Sequence, residues 1–537
     1  MSRALYGWQE DCLEKWFANN CRGMVQAVTG SGKTLLALTA AARLEQQLGQ
    51  ELRIKIVVPT SALMLQWSRD IREFLVCTCK DKPSALNPPN AQGENSSNEN
   101  FQRGNFHLEI GMRGGSARSG PTRHYMIYVI NSARYELARQ ILSELKQGKR
   151  VLMIADECHH YGSGQNQLIF EFLPYIKQWE NHFFSLGLSA TLPAGQTQRY
   201  LASVLGRKIY HYGMAEASRG HTICPCDVYH ISLPFQAREW EAYEELSDRM
   251  RVLYRKLLLA LPSLGQLGQK ELFEELRSLT GNKNRKIAEN ASLYMSLAYK
   301  RKSLVCMASA RCACAFDLVQ RLDEKEKILI FSERTAQADS LCCLLQKSCP
   351  EKVGRYHSKM GELANKNALE RFRTGSIRIL ITCKAIDEGI DVPDASVGII
   401  LSGTSTQRQR IQRLGRIIRQ KDAKEQAALY YLHIEDSSED SCFLPDIKDR
   451  RLFELSYDPV TKNFYNPPYD AKATALLEKM QNAGVSDDSL EETLRCLRLG
   501  CVRSDWLLKQ SSIDEHLQKA RYASEKNYWI CMKRMSQ

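Results

Sequence analysis

Residues 27–34, AVTGSGKT, follow a short apolar run and open a long helical one, the setting of a phosphate-binding loop. Gly30 and Gly32, with Thr29 and Ser31 in the same loop, let backbone N–H groups approach phosphate oxygens. Lys33 can reach the β and γ oxygens, and Thr34 can offer its hydroxyl to Mg2+. A second cluster, ADECHH at residues 155–160, sets two acids, a thiol and two imidazoles side by side. Zinc would need three or four ligands converging from adjacent positions, which the alternation of a strand opposes. Beside the phosphate loop the cluster reads as oxygen-rich magnesium chemistry. Asp156, ending a buried strand, would hold the ion that Thr34 also serves, and Glu157 would polarise an attacking water. Cys158 reads as packing, and His160 as either a surface residue or a link to the SAT segment.

Three further segments extend the site. LSAT (188–191) offers the hydroxyls of Ser189 and Thr191 toward the ATP site. AIDEGIDVPDAS (385–396) places Gly389 and Asp391 on a loop after a later strand, and QRLGRIIR (412–419) sets Gln412, Arg416 and Arg419 near one helical face. Alone, an Arg-rich run is an exposed basic helix. With the phosphate loop, Arg416 and Arg419 read as fingers supplied to an ATP held by another unit. If they reach the γ-phosphate when the units close, closure becomes a nucleotide-dependent switch.

Two α/β units must position these residues. RIKIVVPT (53–60), MIYVINS (126–132), VLMIADE (151–157) and FFSLGLSAT (183–191) read as buried strands separated by helices or loops, predicting a parallel sheet covered on both faces. KILIFSE (327–333), IRILITC (377–383) and VGIILSG (397–403) begin a second series. The expected organisation is a first α/β lobe over 1–215, with an Asn-, Ser- and Pro-rich mobile insertion near 80–120. A connecting strand and helical insertion follow over 216–322, a second lobe over 323–440, and a helical extension over 441–537 with a capping box at Ser512 and Glu515. His221, Cys224, Cys226 and His230 match no standard zinc-finger spacing, and CDVYHISLPF alternates like a strand.

Composition narrows the class. The 537 residues suffice for two or three cores. With 43% hydrophobic and 25% charged residues, and no apolar run near the length of a membrane span, the expectation is a soluble protein without a membrane partner. MSRALYGWQEDCLEKW carries acids within its apolar pattern, unlike a signal peptide. Close cysteine pairs such as CTC, CPC and CAC suit reduced thiols, pointing to a cytoplasmic location, nucleoid-associated in a prokaryote or nuclear in a eukaryote. The net charge of +13 suits a polyanion but also plain solubility.

On these motifs the sequence resembles the DExH helicases of superfamily 2 over most of residues 1–435. Gln9 in LYGWQ looks like the family's adenine-reading glutamine, VVPTSALMLQW (57–67) like its motif Ia, and His159 occupies the position that gives DExH proteins their name. The block 371–419 is similar to the XPB-like branch and related phage and bacterial helicases, although DECHH departs from the DEVH usual in that branch. The resemblance implies two RecA-like lobes with ATP and Mg2+ in the cleft and nucleic acid, DNA by preference, across both. It further implies a nucleotide-sensing role for His159 and backbone contacts from Thr60 and Thr382. The basic segment 299–311 would line the track or carry solvated charges. The C-terminal cations and aromatics Arg521, Tyr522, Lys526, Tyr528, Trp529, Lys533 and Arg534 would dock a helix on its own domain in preference to stacking on a strand. The expected activity is ATP-dependent movement along, or remodelling of, DNA. The alternatives are an RNA helicase or RNA-sensing ATPase, and a motor or clamp subunit working with a nuclease or another defence, repair or transcription partner.

Overall fold

The computed structural model describes residues 5–49, 52–80, 110–115, 117–220, 222–383, 395–402, 426–437 and 451–537. The region read as a mobile insertion falls largely outside them. Two eight-stranded sheets organise the described residues. The first contains β1 (Arg22–Ala27), β2 (Leu52–Val58), β3 (Ile110–Gly114), β4 (Ala117–Arg118), β5 (Tyr125–Val129), β6 (Arg150–Asp156), β7 (Phe183–Ser189) and β8 (Lys208–Tyr212), in the order β4-β3-β5-β2-β6-β7-β1-β8. All its pairings are parallel except that of β3 with β4. Strand alternation divides the core. Val151, Met153 and Ala155 of β6 pack with the helix Ile130–Lys146 on one face. Leu152 and Ile154 pack on the other with α2 (Lys33–Leu48) and α3 (Ser61–Lys80). Both faces are apolar because parallel crossovers lay helices on each side.

The second sheet contains β9 (Cys226–Leu233), β10 (Ile328–Ser332), β11 (Val353–His357), β12 (Ile379–Cys383), β13 (Val397–Ile400), β14 (Ala427–Ile434), β15 (Leu452–Asp458) and β16 (Asn463–Tyr465), in the order β11-β12-β10-β13-β14-β9-β15-β16. It is parallel apart from the β15–β16 hairpin. This sheet extends beyond the expected second lobe. β9, the connecting strand, lies between β14 and β15, and the extension read as helical first contributes a hairpin. β9 is nearly all buried because it is an interior strand, so the half-buried alternation read in CDVYHISLPF is absent.

The segment between β9 and β10 forms an antiparallel helical hairpin, Ala237–Ala260 against Arg285–Met307, capped by Gln269–Leu279 around Leu257, Leu264, Leu276 and Leu279. Arg285–Arg321 is long and apolar enough to pass for a membrane span by length and composition, and half of its apolar window is buried inside the fold. Arg311, fully buried within it, donates to the carbonyls of Val305, Leu401 and Leu432.

After β16, helices Pro467–Asn482, Asp487–Gly500, Gln510–Lys519 and Ala523–Met535 close over the second sheet. Asp227 on β9 holds them: it accepts both guanidinium arms of Arg451 at 2.9 Å, together with Ser504 and Gln426. Tyr528 is buried, donates to Asp505 at 2.6 Å and lies beneath the Arg503 guanidinium, while Trp529 stacks on His516. Lys533 pairs with Asp514. This end of the chain is thus a docked helix. The capping box read at Ser512 is absent because that helix begins at Gln510 with Lys509 as its N-cap, and Glu515 pairs with Lys519 instead.

Beside this junction, burial pushes the Glu326 carboxyl up to about 7 against the opposing pull of Arg503, and one of its oxygens is buried without a hydrogen-bond partner. The folded chain therefore holds a proton that the unfolded chain has released between the ordinary value of 4.5 and about 7. Stability falls as pH rises through that window and stays lower above it. Glu326→Gln mimics the protonated acid. It should raise thermal stability at pH 8 by about 2 kcal/mol, after discounting the shift for partial exposure, and by much less at pH 5. Melting curves at the two pH values check this, and equal shifts at both would refute it.

Candidate active site

β1 ends where the phosphate loop begins, and α2 starts at Lys33. Gly30 and Gly32 have φ of 87° and 91°, a region that side chains disfavour. Gly32 also lacks room for one, since a Cβ there would lie 2.8 Å from Gln9 Nε2. That Nε2 donates to the Gly32 carbonyl at 2.9 Å, while Gln9 Oε1 accepts from the Tyr6 N–H at 2.9 Å. Buried Gln9 thus ties the first helix, α1 (Gly7–Ala18), to the loop. Lys33 Nζ folds back onto the carbonyls of Ala27 and Val28 at 3.0 and 3.4 Å, and the Ser31 hydroxyl donates to Val28 at 2.7 Å. No acidic residue lies in the first turn of α2, so its positive end is unopposed. Thr29 and Thr34 are half-buried at the same turn. A glycine cradle, an ammonium and a helix N-terminus suit the tail of a nucleoside triphosphate.

The Asp156 strand does not adjoin the phosphate-loop strand directly: β7 stands between β6 and β1, so three parallel strand ends meet the site in a row. Asp156 Oδ1 accepts from the Glu157 backbone N–H at 3.0 Å, and Oδ2 from the Trp67 indole N–H at 2.8 Å. Burial raises the Asp156 carboxyl above its ordinary range, opposed by the Trp67 bond and the Lys33 charge. A buried carboxylate here and the Thr34 hydroxyl on α2 are hard oxygen donors, the set that fits Mg2+ and not zinc. Among the described residues no group of three or more His, Cys, Asp or Glu is placed to hold a metal. Cys224 and Cys226 are in the apolar core, His230 faces Glu454 at 3.2 Å, and His221 lies outside the described residues. Cys12, Cys21, Cys158 and Cys314 are buried free thiols.

Glu157 takes a left-handed backbone, φ 47°, at the turn out of β6. Its Oε2 lies 3.4 Å from His159 Nδ1, which is 2.7 Å from Ser189 Oγ. Ser189 spends its one proton on the Thr191 carbonyl at 2.6 Å and accepts from the Thr191 N–H at 3.2 Å. His159 Nδ1 must therefore carry the proton in its contact with Ser189. The chain Glu157–His159–Ser189–Thr191 joins the end of β6 to the end of β7. Cys158 packs in the core with its thiol pushed up by burial, and the His160 ring lies 4.2 Å from that of His159.

Thr60 caps α3: its hydroxyl accepts from the Leu63 N–H at 3.3 Å and its carbonyl from that of Met64 at 3.1 Å. Thr382 is different. It is buried in β12, with its hydroxyl 3.3 Å from the Ile330 carbonyl. Gly389, Asp391, Gln412, Arg416 and Arg419 lie outside the described residues. Two participants went unassigned in the sequence. Trp67 stands seven residues after Thr60, two helical turns along, a spacing that does not by itself point to Asp156. The Tyr161 hydroxyl lies 2.6 Å from the Asp156 carbonyl and 2.8 Å from that of Val57, with no sequence signal for either.

The family model for the type III restriction enzyme res subunit matches residues 3–194, and that for the helicase conserved C-terminal domain matches residues 310–421. A "DNA 3'-5' translocase XPB2" of Sulfurisphaera tokodaii is 24% identical over 78% of this chain and 79% of its own length. The "General transcription and DNA repair factor IIH helicase/translocase subunit XPB2" of Arabidopsis thaliana is 23% identical over 90% of this chain, which spans 55% of that protein. The Hef helicase domain of Pyrococcus furiosus aligns with a TM-score of 0.48 at 15% identity, over 80% of this chain and 95% of its own. The phosphate loop, the acidic strand end and the SAT link lie within the first matched region and the Arg416 and Arg419 segment within the second, so the chain carries the paired domains of a superfamily 2 helicase and is similar to the XPB translocases.

Proposed function

We propose that the protein is an ATP-driven DNA helicase or translocase, in which hydrolysis powers movement along DNA or its remodelling. The observation that carries this reading is the chain from Asp156 through Glu157 and His159 to Ser189, which together with the phosphate loop occupies the ends of three adjacent parallel strands. Lys33 and the loop N–H groups hold the triphosphate, Gln9 frames the base side of the loop, and Glu157 orients the attacking water. Thr34 and Asp156 would hold Mg2+, whose charge would offset that developing on the phosphate oxygens. His159, with Ser189 and Thr191, reports the state of Glu157 to the neighbouring strand end. Gly389, Asp391 and Gln412 would serve the nucleotide from the second domain, and Arg416 and Arg419 would act on the terminal phosphate. Thr60, at the N-terminus of α3, contacts the backbone of the nucleic acid.

The names of the archaeal and plant relatives favour DNA over RNA, and the plant relative's description as a subunit favours work beside a protein partner, with a nuclease or a defence or repair subunit as the candidates. The compartment is the one that holds the DNA. ATP hydrolysis by the purified chain, measured with matched DNA and RNA, tests the reading. DNA should stimulate hydrolysis at least tenfold more than RNA. The reverse order would make it an RNA-dependent ATPase, and hydrolysis indifferent to both would remove the motor.

A further inference from the structure

The hydrogen bond from Trp67 to Asp156 reaches between two parts of the site that the helicase motifs treat separately. Trp67 is 1% exposed, and its indole N–H donates to Asp156 Oδ2 at 2.8 Å. It sits on α3, the helix whose first turn is capped by Thr60. Seven residues of helix, about 10 Å, separate the cap from the indole, so both lie on nearly the same face. A second tie doubles the connection: the Tyr161 hydroxyl lies within hydrogen-bond reach of the Asp156 carbonyl and of that of Val57, the penultimate residue of β2 and three positions before Thr60. The carboxylate oxygen that Trp67 grips belongs to the side chain placed to hold Mg2+, so any shift or rotation of α3 must reorient that carboxylate or break the bond. The packing leaves little slack, since Met64, Trp67 and Ile71 are all buried along one stripe of α3.

We propose that Trp67 is a positioning residue that couples DNA contact at Thr60 to the orientation of Asp156, with α3 as the rigid strut between them. The inference rests on the DNA-driven ATPase proposed above. Such coupling is reciprocal: if DNA at the head of α3 favours the metal-holding orientation of Asp156, then Mg2+ and nucleotide must tighten DNA binding by the same factor. A binding measurement therefore reads the strut without any turnover.

The affinity of the full chain for a fluorescein-labelled duplex is measured with and without Mg2+ and a non-hydrolysable ATP analogue, and the ratio of the two affinities is the coupling factor. Trp67→Phe keeps an aromatic ring in the packing and removes the donor. It should reduce the coupling factor at least fivefold toward unity while leaving nucleotide-free duplex affinity within twofold. A second variant avoids the buried site. Leu65, midway along the strut, is 55% exposed, and Leu65→Gly softens the helix there whereas Leu65→Ala keeps it stiff. The glycine variant should lose coupling and the alanine variant retain it. A coupling factor equal to wild type in Trp67→Phe and Leu65→Gly would overturn the proposal, as would an equal loss in Leu65→Ala, or a fall in nucleotide-free affinity as large as the fall in coupling. Failure of the wild-type chain to bind duplex would instead strike at the proposed function.

Discussion

Glu157→Gln should reduce DNA-stimulated ATP hydrolysis by about 10²- to 10⁴-fold, the range that removal of a general base commonly costs, while nucleotide binding stays within a few-fold of wild type. The two side chains have nearly the same shape, and both must adopt the left-handed backbone of φ 47° that the turn out of β6 imposes. The fold therefore meets no new strain. What changes is the charge facing His159. The His159 Nδ1–H now lies 2.7 Å from Ser189 and 3.4 Å from a carboxylate oxygen. With an amide at that position the imidazole loses its anionic neighbour, and the water that Glu157 orients loses its acceptor. Phosphate release at saturating ATP and duplex, beside a fluorescent-nucleotide titration, separates the two effects. Retention of more than a tenth of wild-type turnover would remove Glu157 from the role of base.

The residues of this site were easier to read in the sequence than the sheets that carry them. The AVTGSGKT loop and the ADECHH cluster announce themselves because phosphate and metal chemistry restrict residue type at fixed spacing. Interior strands such as β6 and β7 were visible as unbroken apolar runs, since both of their faces are covered. Strands near the sheet edges were not. β8 and β11 show mixed burial, so neither forms a run that stands out from loop sequence. β9 could be read as a strand but not assigned to a sheet, because its partners β14 and β15 lie far along the chain. The contact between Trp67 and Asp156 is of that second kind. It joins residues 89 positions apart, and no local pattern marks a tryptophan in an amphipathic helix as the partner of a buried acid.

Lys33→Ala should have the other large effect, and it should differ in kind from that of Glu157→Gln by removing nucleotide binding together with turnover. The ammonium closes the cradle over the carbonyls of Ala27 and Val28 at 3.0 and 3.4 Å, from where it can exchange those neutral acceptors for phosphate oxygens. An ammonium paired with an anionic phosphate oxygen gains a charge–charge attraction that a neutral carbonyl does not offer, so the exchange favours the nucleotide. Lys33 also acts on Asp156. Its positive charge is one of the influences that restrain the upward pKa shift imposed by burial. Without it, the carboxyl is driven further toward its protonated form, which holds Mg2+ less well. Alanine therefore weakens both the site for the phosphates and the site for the ion that accompanies them. Nucleotide affinity should fall at least thirtyfold and hydrolysis on the order of 10³-fold, as expected when a preorganised charge is removed from a phosphoryl-transfer site. Duplex affinity without nucleotide should be unaffected, because Lys33 is bonded to phosphate-loop carbonyls at the end of β1, whereas Thr60 follows β2, on the far side of β6 and β7 in the sheet. Equilibrium binding of a fluorescent ATP analogue, with phosphate release and duplex binding on the same preparation, tests the prediction. Near-normal nucleotide affinity in Lys33→Ala would show that the cradle holds its ligand through the backbone and leave the ammonium with no role in binding.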